Sequence, residues 1–376
     1  MKIGFDGKRA VANMTGLGNY SRLALESLAD ALRHDKLMVY TPAMRDNPRL
    51  ERLLHTYNVE FRLPSGKGLL RKGSLWRTWG ISRDLKADGI GLFHGLSNEL
   101  PLSIRHTGIP SVVTIHDVIY RRLPYCYKPV DRLLYDFKYG HSCRNADRII
   151  AISERTKHDI MEFYGIPEDK IDVAYQGCDP QFRIQLPDHA IEAVRKKYLL
   201  PDRYLLQVGT IERRKNLELS VRALPGLPED ITLVAVGRDN NYLDHVRGIA
   251  EALGVETRLR VLEGVPFKDL PALNQGAEAV LYPSRYEGFG IPVLEGMESM
   301  RPVVAATGSC LEEAGGKAAY YVDPDDPGEM TDILRSIISG TDSGLAERIL
   351  EGKIQASRFS NDNMARDILR TYRRVL

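Results

Sequence analysis

Along nearly the whole chain, short runs of β-branched and aromatic residues alternate with longer stretches whose apolar positions recur at helical spacing. In the first half, the runs at 2–5, 38–40, 59–63, 90–94, 111–116, 148–152 and 171–174 read as strands. In the second half, strands are expected at 204–208, 232–236, 259–262, 279–282, 303–305 and 320–322. Several of these runs, such as SVVTIH and YLLQVG, are apolar along their length, as in strands buried on both faces of a parallel sheet. Alternation of this kind implies right-handed βαβ units and sheets covered by helices. It restarts near Tyr204, just after the turn-rich stretch YQGCDPQFRIQLPDH. The pattern therefore predicts an α/β protein of two doubly wound, Rossmann-like domains, 1–180 and 181–356, with a basic helical segment in 357–376. Sheets wound this way place ligands at their strand C-termini, so the two domains are expected to face a common cleft.

Composition changes this picture little. A length of 376 residues exceeds the size at which one core usually stops growing, in keeping with two domains. A formal net charge of +2 gives no support for nucleic acid as a partner. Cys126, Cys143, Cys178 and Cys310 are far apart and form no C-x-x-C pair, which argues against a disulfide framework or a zinc site. The opening MKIGFDGKRA reads as a strand rather than an export signal, and no stretch approaches the roughly 18 apolar residues of a spanning helix. A cytoplasmic protein is expected. Segment 67–79 sets Trp76 and Trp79 among basic residues, which suits an anionic membrane surface, although an ordinary surface helix packing Leu and Trp inward is the preferred reading.

Four stretches carry candidate chemistry. Gly16 and Gly18 lie ahead of the helical pattern SRLALESLADAL, where backbone N–H groups can approach an anion; a plain turn fits these residues as well. His116 and Asp117 end the most apolar strand of the first half. His116 can meet a sugar hydroxyl there, with Asp117 fixing its tautomer or the local turn, but by itself it reads as a satisfied strand-end histidine. In GTIERRKN, which follows the strand YLLQV, Arg214 and Lys215 offer fixed cations to a diphosphate leaving group; a solvated charge run is the alternative. The most specific stretch is YPSRYEGFGIPVLE. It places Glu287 in a glycine-flanked loop and Glu295 near the start of a helix, with the N–H groups of Phe289, Gly290 and Ile291 open to a sugar or phosphate and Pro292 as the first helical residue. The acidic run from Asp323 to Asp326 contains Pro324 and follows a strand, so it reads as turn chemistry, and no metal ligands are assigned.

In this order the stretches resemble family 4 of the glycosyltransferases, whose two-Rossmann-domain fold is called GT-B. The resemblance spans almost the whole chain, including TIHDVIY, ADRIIAISERTKHDI and AAYYVDPDDP, and the spacing from Glu287 to Glu295 is the family's hallmark. It implies that Glu287 contacts hydroxyls of the donor sugar, that Glu295 binds the ribose, and that Arg214 and Lys215 hold the diphosphate. By the same resemblance His116 meets the donor sugar from the other domain, Gly16 and Gly18 approach the phosphate and acceptor, Val265 lies in the loop that meets the nucleobase, and the last helix packs back on the first domain. Many relatives have an arginine directly after Gly209, where this chain has Thr210.

The resemblance further implies retention of anomeric configuration without metal or resident cofactor, a nucleotide diphosphate sugar being the co-substrate. The form GTIE-x-RKN is similar to bacterial mannosyltransferases, which puts GDP-mannose first and UDP-hexoses next. The acceptor is expected to be a saccharide or lipid-linked saccharide of a surface polysaccharide, met in the cytoplasm or at the inner face of the membrane. A nucleotide-sugar 2-epimerase and a silent nucleotide-sugar-binding subunit are the rival readings.

Overall fold

A strand with no polar face must bury both faces, and parallel pairing beneath two helical layers does this. The computed structural model describes residues 1–65 and 73–376 and forms two such sheets. The first contains β1 (Lys2–Asp6), β2 (Lys36–Tyr40), β3 (Val59–Arg62), β4 (Leu92–Gly95), β5 (Ser111–Ile115), β6 (Arg148–Ala151) and β7 (Ile171–Val173). Its order is β3-β2-β1-β4-β5-β6-β7, with every pair parallel. The second contains β8 (Tyr204–Val208), β9 (Thr232–Val236), β10 (Leu259–Leu262), β11 (Ala279–Tyr282), β12 (Val303–Ala306) and β13 (Tyr320–Val322). It runs β10-β9-β8-β11-β12-β13, again parallel throughout. Each sheet therefore has a point where strand order reverses, between β1 and β4 and between β8 and β11. Doubly wound sheets bind their ligands outside the carboxyl ends of the strands flanking such a point.

The chain divides into one compact unit of Met1–Gly177 with Ser360–Leu376 and another of Cys178–Phe359. These boundaries differ from 180/181 and 356/357, because the turn-rich connection is packed rather than loose. Cys178 donates its N–H to the Phe359 carbonyl at 3.3 Å, and buried Phe182 lies edge-on to Phe267. Gln275 holds Ile184 and Leu186 through its side-chain amide, and Arg183 pairs with buried Glu298 at 2.9 Å. The last helix, Asn361–Tyr372, belongs to the first unit. Its Tyr372 hydroxyl lies 2.7 Å from Nδ1 of His94 on β4, and Arg374 beyond it pairs with Asp172 of β7.

Two local expectations change. The helix Gly16–Ala31 begins at Gly16 itself, so Gly16 and Gly18 form its first turn instead of a preceding loop. Gly18 is required there because a Cβ would fall 1.8 Å from the Asn13 carbonyl oxygen, whereas Gly16 faces open space. Trp76 is buried, with its indole N–H donating to Asp84 at 2.6 Å, so it is withdrawn from the membrane-facing set while Trp79 stays half exposed. Arg77 also points inward, onto Asp6 and Glu99. Residues 67–72 of that segment lie outside the described residues. No helix among the described residues is long and apolar enough to cross a membrane.

Candidate active site

In the second unit, the loops after β8 and β11 flank the point where strand order reverses, and they carry the charges. The short turn Arg213–Lys215 follows β8, and Asn216 closes it at φ 56°, a left-handed conformation that asparagine tolerates. Beneath it, buried Gln207 on β8 donates to the Lys215 carbonyl at 2.9 Å and accepts from Ser220 at 2.7 Å. The loop is thus fixed before any ligand arrives.

Lys215 Nζ stands 2.6 Å from Glu287 Oε1, and Arg214 Nη1 stands 2.7 Å from the same oxygen. Lys215 also donates to the hydroxyl of Tyr282, at the end of β11. Burial pushes the Glu287 carboxyl up, but the Arg214 and Lys215 charges outweigh it and hold its pKa down to about 2. The Lys215 ammonium is lowered, chiefly by burial, despite the neighbouring carboxylate. Arg214 is the more heavily compensated cation, since its other nitrogen meets Glu212 at 2.6 Å.

The loop from Glu287 leads to Gly290, at φ +134°, and the helix Ile291–Glu298 opens at Ile291, one residue before Pro292. A Cβ on Gly290 would lie 2.8 Å from Leu311, so both conformation and space demand glycine. Phe289 is buried edge-on to Phe359 and anchors the loop, while the Gly290 and Ile291 amides head the helix. The buried thiol of Cys310 lies 3.0 Å from the Glu287 carbonyl and 2.8 Å from that of Phe289, tying down both sides of Gly288. Glu295 contrasts with Glu287. It is buried, no cation pairs with it among the described residues, and burial, with a smaller push from Asp179, raises its pKa to about 8. Val265 lies in the loop after edge strand β10. Tyr282, Gln207 and Cys310 escaped the sequence reading because nothing in their spacing marks them.

In the first unit, His116 follows β5. Its backbone N–H donates to Asn98 at 2.7 Å, and its ring Nε2 lies 2.9 Å from the Leu96 carbonyl. A carbonyl accepts only, so Nε2 carries the proton and Nδ1 is left as the acceptor. Burial, aided by the Arg9 charge, lowers the ring pKa to about 4, and the Tyr20 ring packs edge-on at 4.6 Å. Asp117 fixes the turn by accepting from the Ile119 amide at 3.2 Å, while the Leu96 carbonyl sets the tautomer.

The acidic run after β13 is a turn in which Asp326 caps the helix Pro327–Ser339, accepting from Gly328 and Glu329. Among the described residues, one group of metal-type ligands gathers, His158, Asp159 and Glu162, and both of its carboxylates already pair with Arg122.

Two units, each built on a doubly wound parallel sheet, are the architecture of the GT-B fold. The family model for glycosyltransferase family 4 matches residues 15–182, and that for group 1 glycosyl transferases matches 190–353. The chain belongs to this glycosyltransferase family. It is 29% identical, over 99% of its length and 100% of the relative, to O-antigen chain mannosyltransferase B of Escherichia coli. It is 26% identical over 76% of its length to the serotype-specific mannosyltransferase WbdA of Escherichia coli, and covers 36% of that longer protein. Among solved structures, the Anabaena protein HepE in complex with UDP and glucose aligns over all of both chains with a TM-score of 0.78 at 20% identity, a likeness of fold.

Proposed function

We propose that this glycosyltransferase moves a hexose, with mannose the first candidate and a UDP-hexose the next, from a nucleotide diphosphate sugar onto a saccharide or lipid-linked saccharide. The transfer retains configuration, needs neither metal nor resident cofactor, and serves surface polysaccharide synthesis at the inner face of the cell membrane. The observation carrying this reading is the Lys215–Glu287–Arg214 cluster, set where strand order reverses in the second sheet. A diphosphate needs fixed cations as its charge grows during departure, and cations held in place beforehand do not have to reorganise. Lys215 is the main candidate for that charge, because Arg214 is already shared between Glu212 and Glu287. Glu287 then turns to the hydroxyls of the sugar, and Glu295 to the ribose diol. In the first unit, Nδ1 of His116 is an acceptor for a sugar hydroxyl. The leaving diphosphate takes the proton of the attacking hydroxyl. The two mannosyltransferase relatives support the choice of sugar.

The test is a comparison of GDP, UDP, GDP-mannose and UDP-glucose in thermal shift and transfer assays. A nucleotide at a hundredfold its dissociation constant should stabilise the protein by about 2.7 kcal/mol. Transfer from GDP-mannose that persists in a chelator is expected. Free epimerised sugar formed from donor alone would replace this reading with that of a 2-epimerase, and binding without turnover would make the chain a silent subunit.

A further inference from the structure

Among the apolar side chains of β4 and β5 sit two polar ones, His94 and Thr114, both fully buried. His94 Nε2 lies 2.9 Å from Thr114 Oγ1, and its Nδ1 lies 2.7 Å from the Tyr372 hydroxyl of the last helix. Thr114 Oγ1 in turn lies 3.1 Å from the hydroxyl of Tyr20, on the helix Gly16–Ala31, which packs beside the last helix. Tyr372, His94, Thr114 and Tyr20 thus form one hydrogen-bonded chain through the core of the first unit.

Burial, with a smaller contribution from His116, lowers the His94 pKa to about 3, so its ring is neutral and carries a single N–H proton. The ring must accept on one side and donate on the other, which gives the chain one sense of donation and makes its members a unit. Packing does not call for these polar atoms. Phenylalanine and valine fill the same volumes, and replacing both partners of a buried hydrogen bond by apolar groups of the same shape costs little. At the Tyr20 end of the chain stands His116, whose ring meets that of Tyr20 edge-on at 4.6 Å. The backbone of His116 is already fixed. Asn98, itself at φ 62°, accepts from its N–H at 2.7 Å, and the Thr156 hydroxyl donates to its carbonyl at 3.3 Å. The ring has one hydrogen bond, from Nε2 to the Leu96 carbonyl at 2.9 Å, about which it can rock. The Tyr20 ring opposes that motion.

We propose that Tyr20, Thr114, His94 and Tyr372 are positioning residues for His116, their hydrogen-bonded chain holding the Tyr20 ring against the imidazole so that Nδ1 keeps one direction. The consequence for transfer rests on the transferase reading, in which Nδ1 accepts from a sugar hydroxyl. The four residues act on the reaction through His116, and the hydroxyl of Tyr372 brings the last helix into that role.

Two variants break the chain while keeping its shape, Thr114→Val in the middle and Tyr372→Phe at the end, and Thr114→Ser keeps the hydroxyl. The first measurement is NMR of the ligand-free full chain carrying isotope-labelled histidine. Wild type and Thr114→Ser should show the Nε2–H tautomer and one set of ring signals for His116. Thr114→Val and Tyr372→Phe should shift the His94 signals and split or broaden those of His116. His94 shifted with His116 unchanged overturns the proposal. If Thr114→Val does not fold, Tyr372→Phe decides. The second measurement is turnover of GDP-mannose or UDP-glucose, whichever the wild type consumes. Both variants should lower kcat by about 10- to 100-fold, the cost of a group misplaced by up to about 1 Å, with the donor KM within about twofold. In a His116→Ala background the same substitutions should change kcat by less than about twofold, since groups acting through one another do not add. A full additional loss in that background would make the chain a general support of the fold and overturn its positioning role. A wild type that consumes neither donor would remove the transferase reading, and the His116 ring signals would still decide whether the chain holds that ring.

Discussion

One carboxylate oxygen of Glu287 holds two cations within 2.7 Å, so on the proposed reading a donor diphosphate would have to displace an ion pair that already exists. The cost of freeing Glu287 is offset if its oxygens pass to sugar hydroxyls while the cations pass to phosphate. Lys215→Ala should then lower turnover by about 10²–10³, the usual loss for one charge-stabilising donor, as read in steady-state kinetics. Unchanged turnover would remove Lys215 from the leaving-group site. Glu295 poses the opposite problem. Its pKa of about 8 in the fold lies above its ordinary 4.5, so the fold favours the neutral acid. Relative to the unfolded chain, that preference costs nothing below the ordinary value; stability then falls as pH rises towards the folded pKa and levels off above it. The loss near neutral pH is on the order of a few kcal/mol. Glu295→Gln should therefore raise the melting temperature of the ligand-free protein at pH 7–8 and leave it unchanged near pH 4, while weakening nucleotide binding. Melts across that range check the sign, and an equal shift at both ends would rule out the titration.

At the scale of elements, the start of the helix Gly16–Ala31 separates two uses of glycine. Gly18 is a packing necessity, because any side chain there meets the Asn13 carbonyl. Gly18→Ala should cost about 1–3 kcal/mol, the usual penalty of overpacking, in a denaturant titration. Gly16 has open space and no positive φ, so Gly16→Ala should be neutral or stabilise by about 0.4–1 kcal/mol. If Gly16 approaches a phosphate or acceptor, the same substitution reduces transfer while the melting temperature holds. Full activity would make this a structural turn of helix only. Strands were the most legible elements. Every run that lacked a polar face became a strand, with ends displaced by a residue or two where pairing rather than composition decides them, as at β4, which begins at Leu92 and extends to Gly95. The helix ends were less legible, since Gly16 and Ile291 join their helices ahead of the residues that the helical periodicity and Pro292 mark as the starts.

At the scale of the molecule, the chain leaves its first unit at Gly177 and returns to it at Ser360. The last helix closes that unit through Tyr372 on His94 and Arg374 on Asp172. Deleting residues 361–376 should destabilise the first unit selectively. Buried Cys143 would then react with a thiol reagent before buried Cys178 and Cys310 of the second unit do. Mass spectrometry of labelled peptides gives the order, and simultaneous labelling would mean that the helix is dispensable to its unit.

Alternation of apolar runs and helical periods determined, without further help, that this is a two-part parallel α/β protein, because those patterns can be buried in few other ways. The spacing of Glu287 and Glu295 and the basic run after β8 were likewise local and readable. What tertiary structure alone decided is the charge state of each group. Folding set Glu287 against two cations and, among the described residues, Glu295 against none, and it gave Lys215 a tyrosine. It also turned Trp76 inward and left Val130 and Phe137 outside. Those outcomes depend on residues far apart in the chain meeting in a medium of low polarity, where a charge's partners outweigh its identity.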